Sequence, residues 1–471
     1  MNSHVVFFAT LSLALSGSAR AEDASLQRLL DEAAAANPEV GQARAAVEAE
    51  RARVPQAGAL PDPSLTLGIQ NDGFTHFSVG TKETSFFNIM LTQPLFWPGK
   101  RGLREQVAAL EQHRSEARLG RALLELEGRV RRAYVGLLLA RGQLELLTEQ
   151  QQLWVQAEHT ARARYEAGQV PQSDLLRAQL ELARLQQQDW ALGAALSTSL
   201  AGLNRLRARP LDQPFPTESR LADAADPPVL VEADAQADAE QRSPELQLSV
   251  LGVEQAVSRL ELARKERLPD FAVTAAVMPR GPIEPMWQLG ISIGLPIFSG
   301  SKQGRAVEES EKRQLGEVKG AEALKQILAL RTRERQTTLV ALNRVNQHYR
   351  SQILILSAAA ARSTLSQYEV GRVPFASALE ALAGYLADRG SYLGSVADAQ
   401  LIAIAQKEVS LDPTPWIGGG GGGGGGGPAG AMSGGNTAAR ASASPAGSSR
   451  TGADSSSPSS SSSSPGSSKG M

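Results

Sequence analysis

The chain has 471 residues, and its 48 lysines and arginines almost balance its 49 aspartates and glutamates. This balance excludes the strongly basic surface that nucleic-acid binding requires. The chain contains no cysteine, which excludes disulfide bonds, thiolate metal sites and a lipid-modified N-terminal cysteine. Only 5% of the residues are aromatic, and the abundance of Ala, Leu, Gln, Arg and Glu favours long helices.

The first 21 residues have the pattern of a secretory signal peptide. A short apolar core covers residues 5–15, and Ala19-Arg20-Ala21 supplies the small residues of a cleavage site. No lysine or arginine precedes the core, so a buried N-terminal helix is the alternative. We expect residues 1–21 to be removed on export.

The rest of the sequence lacks an apolar run of about 18 residues, the length of a transmembrane helix. An exported chain of this kind belongs in the periplasm, outside the cell, or in the outer membrane as a β-barrel.

Several short motifs occur twice in the same order, at offsets of about 202 to 208 residues. The matching ranges are 37–40 with 243–246, 60–62 with 268–270, 94–102 with 296–304, and 165–171 with 368–374. A repeat of this length indicates one large structural half used twice, not a solenoid of small units. The sequence therefore predicts repeat one at about 26–208, a connector at 209–238 and repeat two at about 239–410.

Long helices are predicted in the first half. From Gly102 to Tyr165 no proline occurs, and apolar residues recur at steps of three and four, as in a coiled coil. Gly168 favours a left-handed helix end, and Pro171 can begin the next helix, predicted over residues 172–207.

The second half repeats this plan after a proline-rich connector. A helix is predicted over residues 239–267, and a long helix over 302–368. A turn at 371–374 then leads into a return helix that ends near residue 409.

Four short segments between the helices alternate apolar residues with small or polar ones. Their apolar positions are Leu65, Leu67 and Ile69; Phe87, Ile89 and Leu91; Phe271, Val273, Ala275 and Val277; and Trp287, Leu289, Ile291, Ile293 and Leu295. This pattern is typical of barrel strands with lipid on one side and water on the other. A half-buried sheet in a soluble domain is the alternative. Because the smallest membrane barrels have about eight strands, four strands require several copies, and three copies would supply twelve.

Residues 413–471 are rich in glycine, serine, proline and alanine, with unbroken glycine over 418–427. Such a segment buries too little apolar surface to offset its ordering entropy, so we expect it to be disordered.

The sequence offers no catalytic constellation. Its five histidines form no metal-binding pair, and it has neither a serine nucleophile elbow nor a cysteine nucleophile. We therefore predict no enzymatic activity, no cofactor and no metal centre of the usual histidine or cysteine type.

Two carboxylates follow the predicted turns and are candidate gate residues. Asp174 follows Gly168 by six residues, and Glu380 follows Gly371 by nine. In a symmetric assembly each would form a ring of like charge, which attracts cations and raises the pKa of its own members. The alternative is an ordinary acidic residue in the first turns of a helix, which is favourable by itself.

Together, the export signal, the duplicated halves, the paired strands and the Tyr-x-x-Gly turns resemble the TolC-like outer-membrane efflux factors. The resemblance covers about residues 26–410. Three segments are similar to the branch of this family that serves heavy-metal RND-type exporters: Leu60-Pro61-Asp62-Pro63-Ser64-Leu65, Gly68-Ile69-Gln70-Asn71 and Gln93-Pro94-Leu95-Phe96-Trp97-Pro98-Gly99-Lys100-Arg101.

The resemblance implies a mainly α-helical chain with a small β part. Three copies would form a twelve-stranded β-barrel in outer-membrane lipid and an α-helical barrel in the periplasm. The implied partners are a periplasmic adaptor (membrane fusion) protein and an inner-membrane RND-type pump. The turns would form the periplasmic tips that contact the adaptor, at Tyr165, Gly168, Val170, Pro171, Tyr368, Gly371, Arg372 and Pro374.

In this family, carboxylates on the second return helix line the closed constriction, and their positions correspond to Ser377 and Glu380. The serine departs from the pattern and implies one acidic ring instead of two. We therefore expect residues 22–412 to form a passive efflux duct, with heavy-metal cations as cargo. Drugs and secreted polypeptides are the alternative cargoes, and a periplasmic adaptor or a coiled-coil surface protein is the alternative class.

Overall fold

The computed structural model describes residues 24–414. The first half contains α1 (Ala24–Ala36), α2 (Pro38–Gly58), β1 (Ser64–Gln70), β2 (Phe86–Leu95), α3 (Lys100–Glu166) and α4 (Gln172–Leu206). The second half contains α5 (Glu232–Arg242), α6 (Pro244–Lys265), β3 (Asp270–Arg280), β4 (Ile283–Gly294), α7 (Gln303–His348), α8 (Leu354–Glu369) and α9 (Phe375–Lys407). The predicted signal peptide and residues 415–471 of the predicted disordered tail lie outside the described residues.

The expected class, mainly helical with a small antiparallel sheet, is confirmed. No helix within residues 24–414 is both long enough and apolar enough to cross a bilayer.

The longest element is α3, with 67 residues. At 1.5 Å per residue it is a rod of roughly 100 Å. Its three-and-four seam is buried, including Leu126, Val130, Leu137 and Trp154. Along its length α3 packs against α2, α4, α6 and α9, so it connects both halves of the chain.

The helix predicted over residues 239–267 is confirmed over α6 (Pro244–Lys265), but it does not extend back to residue 239, because residues 239–242 belong to the separate helix α5. Ser243 separates them, and its Oγ accepts a hydrogen bond from the Leu246 amide at 3.2 Å. Pro244 follows as the first residue of α6, where its missing N–H costs nothing. Asn37 and Pro38 separate α1 from α2 in the same way.

The four strands form one antiparallel sheet in the order β1-β2-β3-β4. Their register aligns the predicted apolar positions across all strands. The aligned pairs include Leu65 with Leu91, Leu67 with Ile89, Leu91 with Ala275, Ile89 with Val277, Ala275 with Leu289, and Val277 with Trp287. One face of the sheet is therefore a continuous apolar surface, because directly opposite residues project to the same side.

This apolar face is the exposed one. Leu67 is 69% exposed and Ile291 72%. On the opposite face Ala276 is 3% exposed, the only buried residue in the four strands. The distribution is the reverse of that in a water-soluble sheet, which buries its apolar side.

A buried lysine holds the sheet to the helices. Lys100, the first residue of α3, donates from Nζ to the Leu268 carbonyl at 2.8 Å and to Asp270 Oδ1 at 2.9 Å. Asp270 Oδ1 also accepts the Trp97 amide at 2.8 Å. These bonds join the β2–α3 junction to the α6–β3 junction. They therefore hold the two halves of the chain to each other at one end of the sheet.

The long helix predicted over residues 302–368 is interrupted by a π-helical turn, Tyr349–Ile353, between α7 and α8. Tyr165 follows Lys100 by 65 residues, whereas Tyr368 follows Lys302 by 66. A π turn holds one residue more than an α turn. We infer that it accommodates this additional residue and preserves the orientation of Tyr368.

Deleting Ser351 should therefore convert the π turn into α-helix with little loss of stability. The matched control is deletion of Gln152 from α3, which turns every later residue by about 100° and removes Trp154 from the core. Loss of a buried tryptophan typically costs about 3–5 kcal/mol. Thermal unfolding in detergent, followed by circular dichroism, measures the stability of both deletion variants. Equal destabilisation by the two deletions would show that the π turn does not accommodate an additional residue.

Candidate functional site

The candidate site lies where the long helices reverse direction. We call residues 165–171 and 368–374 the tip turns. In the first, Gly168 has φ 67°, and the amides of Gly168 and Gln169 donate to the carbonyls of Tyr165 at 2.9 Å and Arg164 at 2.8 Å. This pair of bonds is a Schellman helix end, which favours glycine at the left-handed residue.

The second tip turn has the same geometry. Gly371 has φ 75°, and the amides of Gly371 and Arg372 donate to the carbonyls of Tyr368 at 2.9 Å and Gln367 at 2.8 Å. Each turn is thus a helix end closed by two backbone hydrogen bonds.

A proline with extended backbone immediately precedes the returning helix after each turn, and the two backbones again agree. Pro171 has φ −71° and ψ 155°, and Pro374 has φ −69° and ψ 157°. The amide of Asp174 donates to the Pro171 carbonyl, and that of Ser377 to the Pro374 carbonyl, both at 3.1 Å. Asp174 and Ser377 therefore occupy equivalent positions, with the carboxylate in the first turn only.

The two tyrosines of the repeated motif have different environments. Tyr368 is 2% exposed, whereas Tyr165 is 40% exposed. The Tyr368 ring lies 5.4 Å from the Phe375 ring, which in turn meets Trp154 edge-on at 6.4 Å. This aromatic cluster packs α3, α8 and α9 together beneath the tip turns, and Ala178 and Leu185 of α4 complete it.

Arg164 connects the two tip turns. Its Nη1 donates to the Tyr368 carbonyl at 3.1 Å, and its guanidinium lies 5.1 Å from the centre of the Tyr368 ring. A Cβ on Gly371 would lie only 3.0 Å from Arg164 Nη2, so glycine allows this close approach. Sequence analysis did not identify Arg164, because one arginine near a helix end carries no signal of its tertiary partner.

Charged residues of the first half, Arg164 and Asp174, act on the hydroxyl of Tyr368 in the second half. Burial raises the pKa of the Tyr368 hydroxyl above its ordinary value, and the negative charge of Asp174 raises it further, while Arg164 opposes both. The structure thus brings Arg164 of α3 into contact with Tyr368 of α8, and Asp174 of α4 lies near enough to act electrostatically on the Tyr368 hydroxyl.

A second polar contact connects α3 and α4 near their tip. Glu158 is buried and accepts hydrogen bonds from Arg162 at 2.6 Å and from Gln179 at 3.3 Å. The Arg162 hydrogen bond holds the pKa of this carboxyl below its ordinary value despite the cost of burial. Glu158 is therefore a structural anion.

The predicted adaptor-contact residues lie at the surface, except Tyr368, which is in the core, and Val170, which is half-buried. Asp174 and Ser377 are half-buried, whereas Glu380 is exposed on α9. Within residues 24–414, no hydrogen bond or ion pair involves the Glu380 carboxylate. No cluster of three or more histidine, aspartate or glutamate side chains able to hold a metal ion occurs in this part of the chain either.

Comparison with known proteins relates the first half of the chain to a family of outer-membrane proteins. Residues 29–208 match the family described as outer membrane efflux protein. Over 188 residues the chain is 32% identical to Protein CyaE of Bordetella pertussis, a match that covers 39% of this chain and 40% of that relative. The chain therefore matches less than half the length of this relative.

Solved structures show the fold over most of the chain. A membrane protein from Pseudomonas aeruginosa superposes with a TM-score of 0.69 at 18% identity, covering 82% of this chain and 93% of that one. CusC, described in terms of transmembrane channel formation, superposes with a TM-score of 0.66 at 17% identity, covering 82% and 92%.

The Arg164 contact can be tested directly. A hydrogen bond from a charged group contributes about 1.5–3 kcal/mol, so Arg164→Ala should speed amide exchange at Gly371 and Arg372 by roughly tenfold or more. Arg162→Ala, which removes an arginine bound only within the first hairpin, is the matched control. Hydrogen exchange of the peptide covering residues 368–374 measures this change in rate. Unchanged protection in Arg164→Ala would show that Arg164 does not stabilise the second tip turn.

Proposed function

We propose that this chain belongs to the outer membrane efflux protein family, whose model its residues 29–208 match, and that it is the passive exit duct of a tripartite exporter in the outer membrane. The duct comprises residues 22–412, with two repeats at about 26–208 and 239–410, and works as a homotrimer. It docks on a periplasmic adaptor protein and receives cargo from an inner-membrane RND-type pump, which supplies the energy.

The observation that carries this proposal is the outward apolar face of the four-stranded sheet. Burying one leucine-sized side chain contributes about 2 kcal/mol, so a surface with eleven large, exposed apolar side chains is strongly unfavourable in water. They are Leu65, Leu67, Ile69, Phe87, Ile89, Leu91, Val277, Trp287, Leu289, Ile291 and Ile293. Hydrocarbon lipid is the environment that this face fits.

The sheet edges support the number of copies. In the described chain, β1 and β4 each have a paired inner edge and an outer edge with no strand beside it. A lipid-exposed strand edge leaves backbone N–H and C=O groups without partners, which bilayers do not tolerate. Pairing β4 of one copy with β1 of the next satisfies both edges, and three copies close a twelve-stranded barrel.

The helical part also requires neighbours. One side of α4 packs within the chain through Ala178, Leu182 and Leu185. The opposite side carries a second seam at steps of three and four, all of it exposed: Leu176, Leu180, Ala183, Gln187 and Trp190. A helix with a seam on both sides fits a closed ring of helices, in which each contacts two others.

Cation transport is supported by the tip. Asp174 and Glu380 lie on the two returning helices, and Glu380 projects a carboxylate without a partner in the described chain. Three-fold symmetry would turn it into an acidic ring that attracts cations. Together with the sequence segments similar to the heavy-metal branch, this favours metal cations as the cargo over drugs or polypeptides.

Particle size and conductance test the duct. The purified protein should form a trimer in detergent and conduct ions in planar bilayers. A monomer that remains soluble in plain buffer and conducts nothing would contradict the proposal.

The outer seam of α4 gives a sharper test of assembly. Trp190 is 70% exposed, and buried tryptophans at interfaces often contribute about 2–4 kcal/mol. Trp190→Glu should therefore raise the concentration at which the trimer dissociates by at least tenfold. Gln188→Glu places the same carboxylate on the same helix but off the seam and should leave the trimer intact, as light scattering in detergent would show. Equal trimer stability in the two variants would exclude this seam from the interface.

Substitutions at Glu380 separate charge from size at the gate. Glu380→Ala should raise conductance and lower cation preference, because it both widens the constriction and removes the acidic ring. Glu380→Gln keeps the size and should lower only the preference. Conductance and reversal potential in asymmetric salt measure these effects, and wild-type values in both variants would rule out a gating role.

A further inference from the structure

Before the π turn, the helices α3 and α7 correspond residue by residue at an offset of 202. Leu137 and Leu339 are related by this offset, and both are fully buried. Tyr134 and Gln336 are related in the same way, and they are 4% and 6% exposed. Gln336 therefore occupies in α7 the buried position that Tyr134 occupies in α3.

The ends of α4 and α9 correspond at an offset of 201 residues. Ala208 and Val409 follow these helices, both with φ 52°, and each amide donates to the carbonyl three residues earlier at 3.1 Å. At this offset Pro214-Phe215 is matched by Pro415-Trp416, which lies just beyond the described residues. After its last helix, each half thus has a proline followed by an aromatic residue.

The first half shows what this aromatic residue does. The Phe215 ring meets the Tyr134 ring edge-on, with the ring centres 6.3 Å apart. Arg141 Nη2 donates to the Phe215 carbonyl at 2.6 Å. The chain that follows α4 therefore folds back on α3, and Phe215 packs against the core of this half.

In the second half, the chain that follows α9 also returns to its long helix. Arg331 Nε donates to the Leu411 carbonyl at 3.2 Å, and Arg335 Nη2 donates to the Asp412 carbonyl at 3.1 Å. Gln336 is the next residue of α7, yet neither its amide oxygen nor its amide nitrogen has a hydrogen-bond partner within residues 24–414. Because a buried amide without partners is costly, this position requires a further polar contact.

An apolar surface lies beside Gln336. Asn343 Nδ2 donates to the Pro227 carbonyl at 2.8 Å, and Arg333 Nη1 lies 3.2 Å from Glu232 Oε1. The connector between these two contacts therefore passes Gln336 along α7. Its side chains there are apolar and 41%, 44% and 68% exposed: Val229, Leu230 and Val231.

We propose that Trp416 docks on α7 of its own chain, with its indole over residues 229–231 and its Nε1 donating a hydrogen bond to Gln336 Oε1. Trp416 follows Asp412 by four residues, which span up to about 14 Å when extended, so the chain end reaches this point. Tryptophan fits because it combines a large apolar ring with one N–H donor. Trp416 thus closes the second half as Phe215 closes the first, and the predicted disordered tail begins after it.

Hydroxyl-radical footprinting measures the exposure of each tryptophan in the full-length protein, purified in detergent. Trp154, which is 2% exposed, is the buried standard, and a free peptide of residues 411–420 is the exposed standard. Wild-type Trp416 should be oxidised roughly tenfold more slowly than the tryptophan of the peptide. Oxidation of Trp416 at the rate of the peptide would overturn the docking.

Substitution of Gln336 tests the position of the contact. Gln336→Ala removes the acceptor and should speed the oxidation of Trp416 roughly fivefold. Thr337→Ala changes the next residue of α7, which is exposed, and as the matched control it should leave the rate unchanged. Trp154 should stay protected in both variants, which shows that they are folded. Equal oxidation of Trp416 in the two variants would exclude the contact with Gln336.

Disulfide formation shows which chain Trp416 contacts, because the natural sequence has no cysteine. Gln336→Cys combined with Trp416→Cys should form a disulfide within one chain, seen as a monomer of altered mobility on a non-reducing gel. Thr337→Cys combined with Trp416→Cys is the matched control and should react far less. Covalent dimers or larger species would place Trp416 on a neighbouring copy and overturn the proposal, as would equal disulfide yields in the two variants. None of these outcomes depends on whether the protein forms a duct.

Discussion

The outward-facing apolar surface of the sheet constrains the rest of the structure. Residues such as Leu67 and Ile291 project from the exposed apolar side, while the opposite side carries mainly small and polar residues. Water disfavours that surface, and lipid disfavours the open edges of β1 and β4. In the proposed barrel both costs disappear, because lipid covers the apolar face and neighbouring copies pair the open edges.

The helices connect the sheet to the tip turns at the other end of the long helices. Lys100 and Asp270 join the two halves where the strands end, and α3 carries the connection along its whole length. At the far end, Arg164 and the aromatic cluster around Tyr368 bind the two helix reversals together. Hydrogen bonds and side-chain packing thus connect the sheet to the tip turns, where the candidate gate residues lie.

Local patterns predicted the strand faces and the tip turns, because alternation and Gly-Pro spacing act within a few residues. Nonlocal features escaped prediction. The break at Ser243 was missed because a helix cap competes with an otherwise helical sequence, and the π turn depends on a comparison between distant halves. The contact of Arg164 with the second tip turn depends on tertiary packing, which periodicity alone does not determine.

Disulfide crosslinking between copies tests most directly whether β4 of one copy pairs with β1 of the next, so that several sheets close one barrel. The natural chain has no cysteine, so every disulfide would report an introduced pair. Two double variants are needed: Leu67→Cys in β1 combined with either Leu289→Cys or Ile291→Cys in β4. A disulfide forms when the two Cα atoms lie about 4.4–6.8 Å apart. The variant that meets this distance between adjacent copies should yield a covalent trimer. If every such combination in native membranes gave only monomer, the closed barrel would be contradicted.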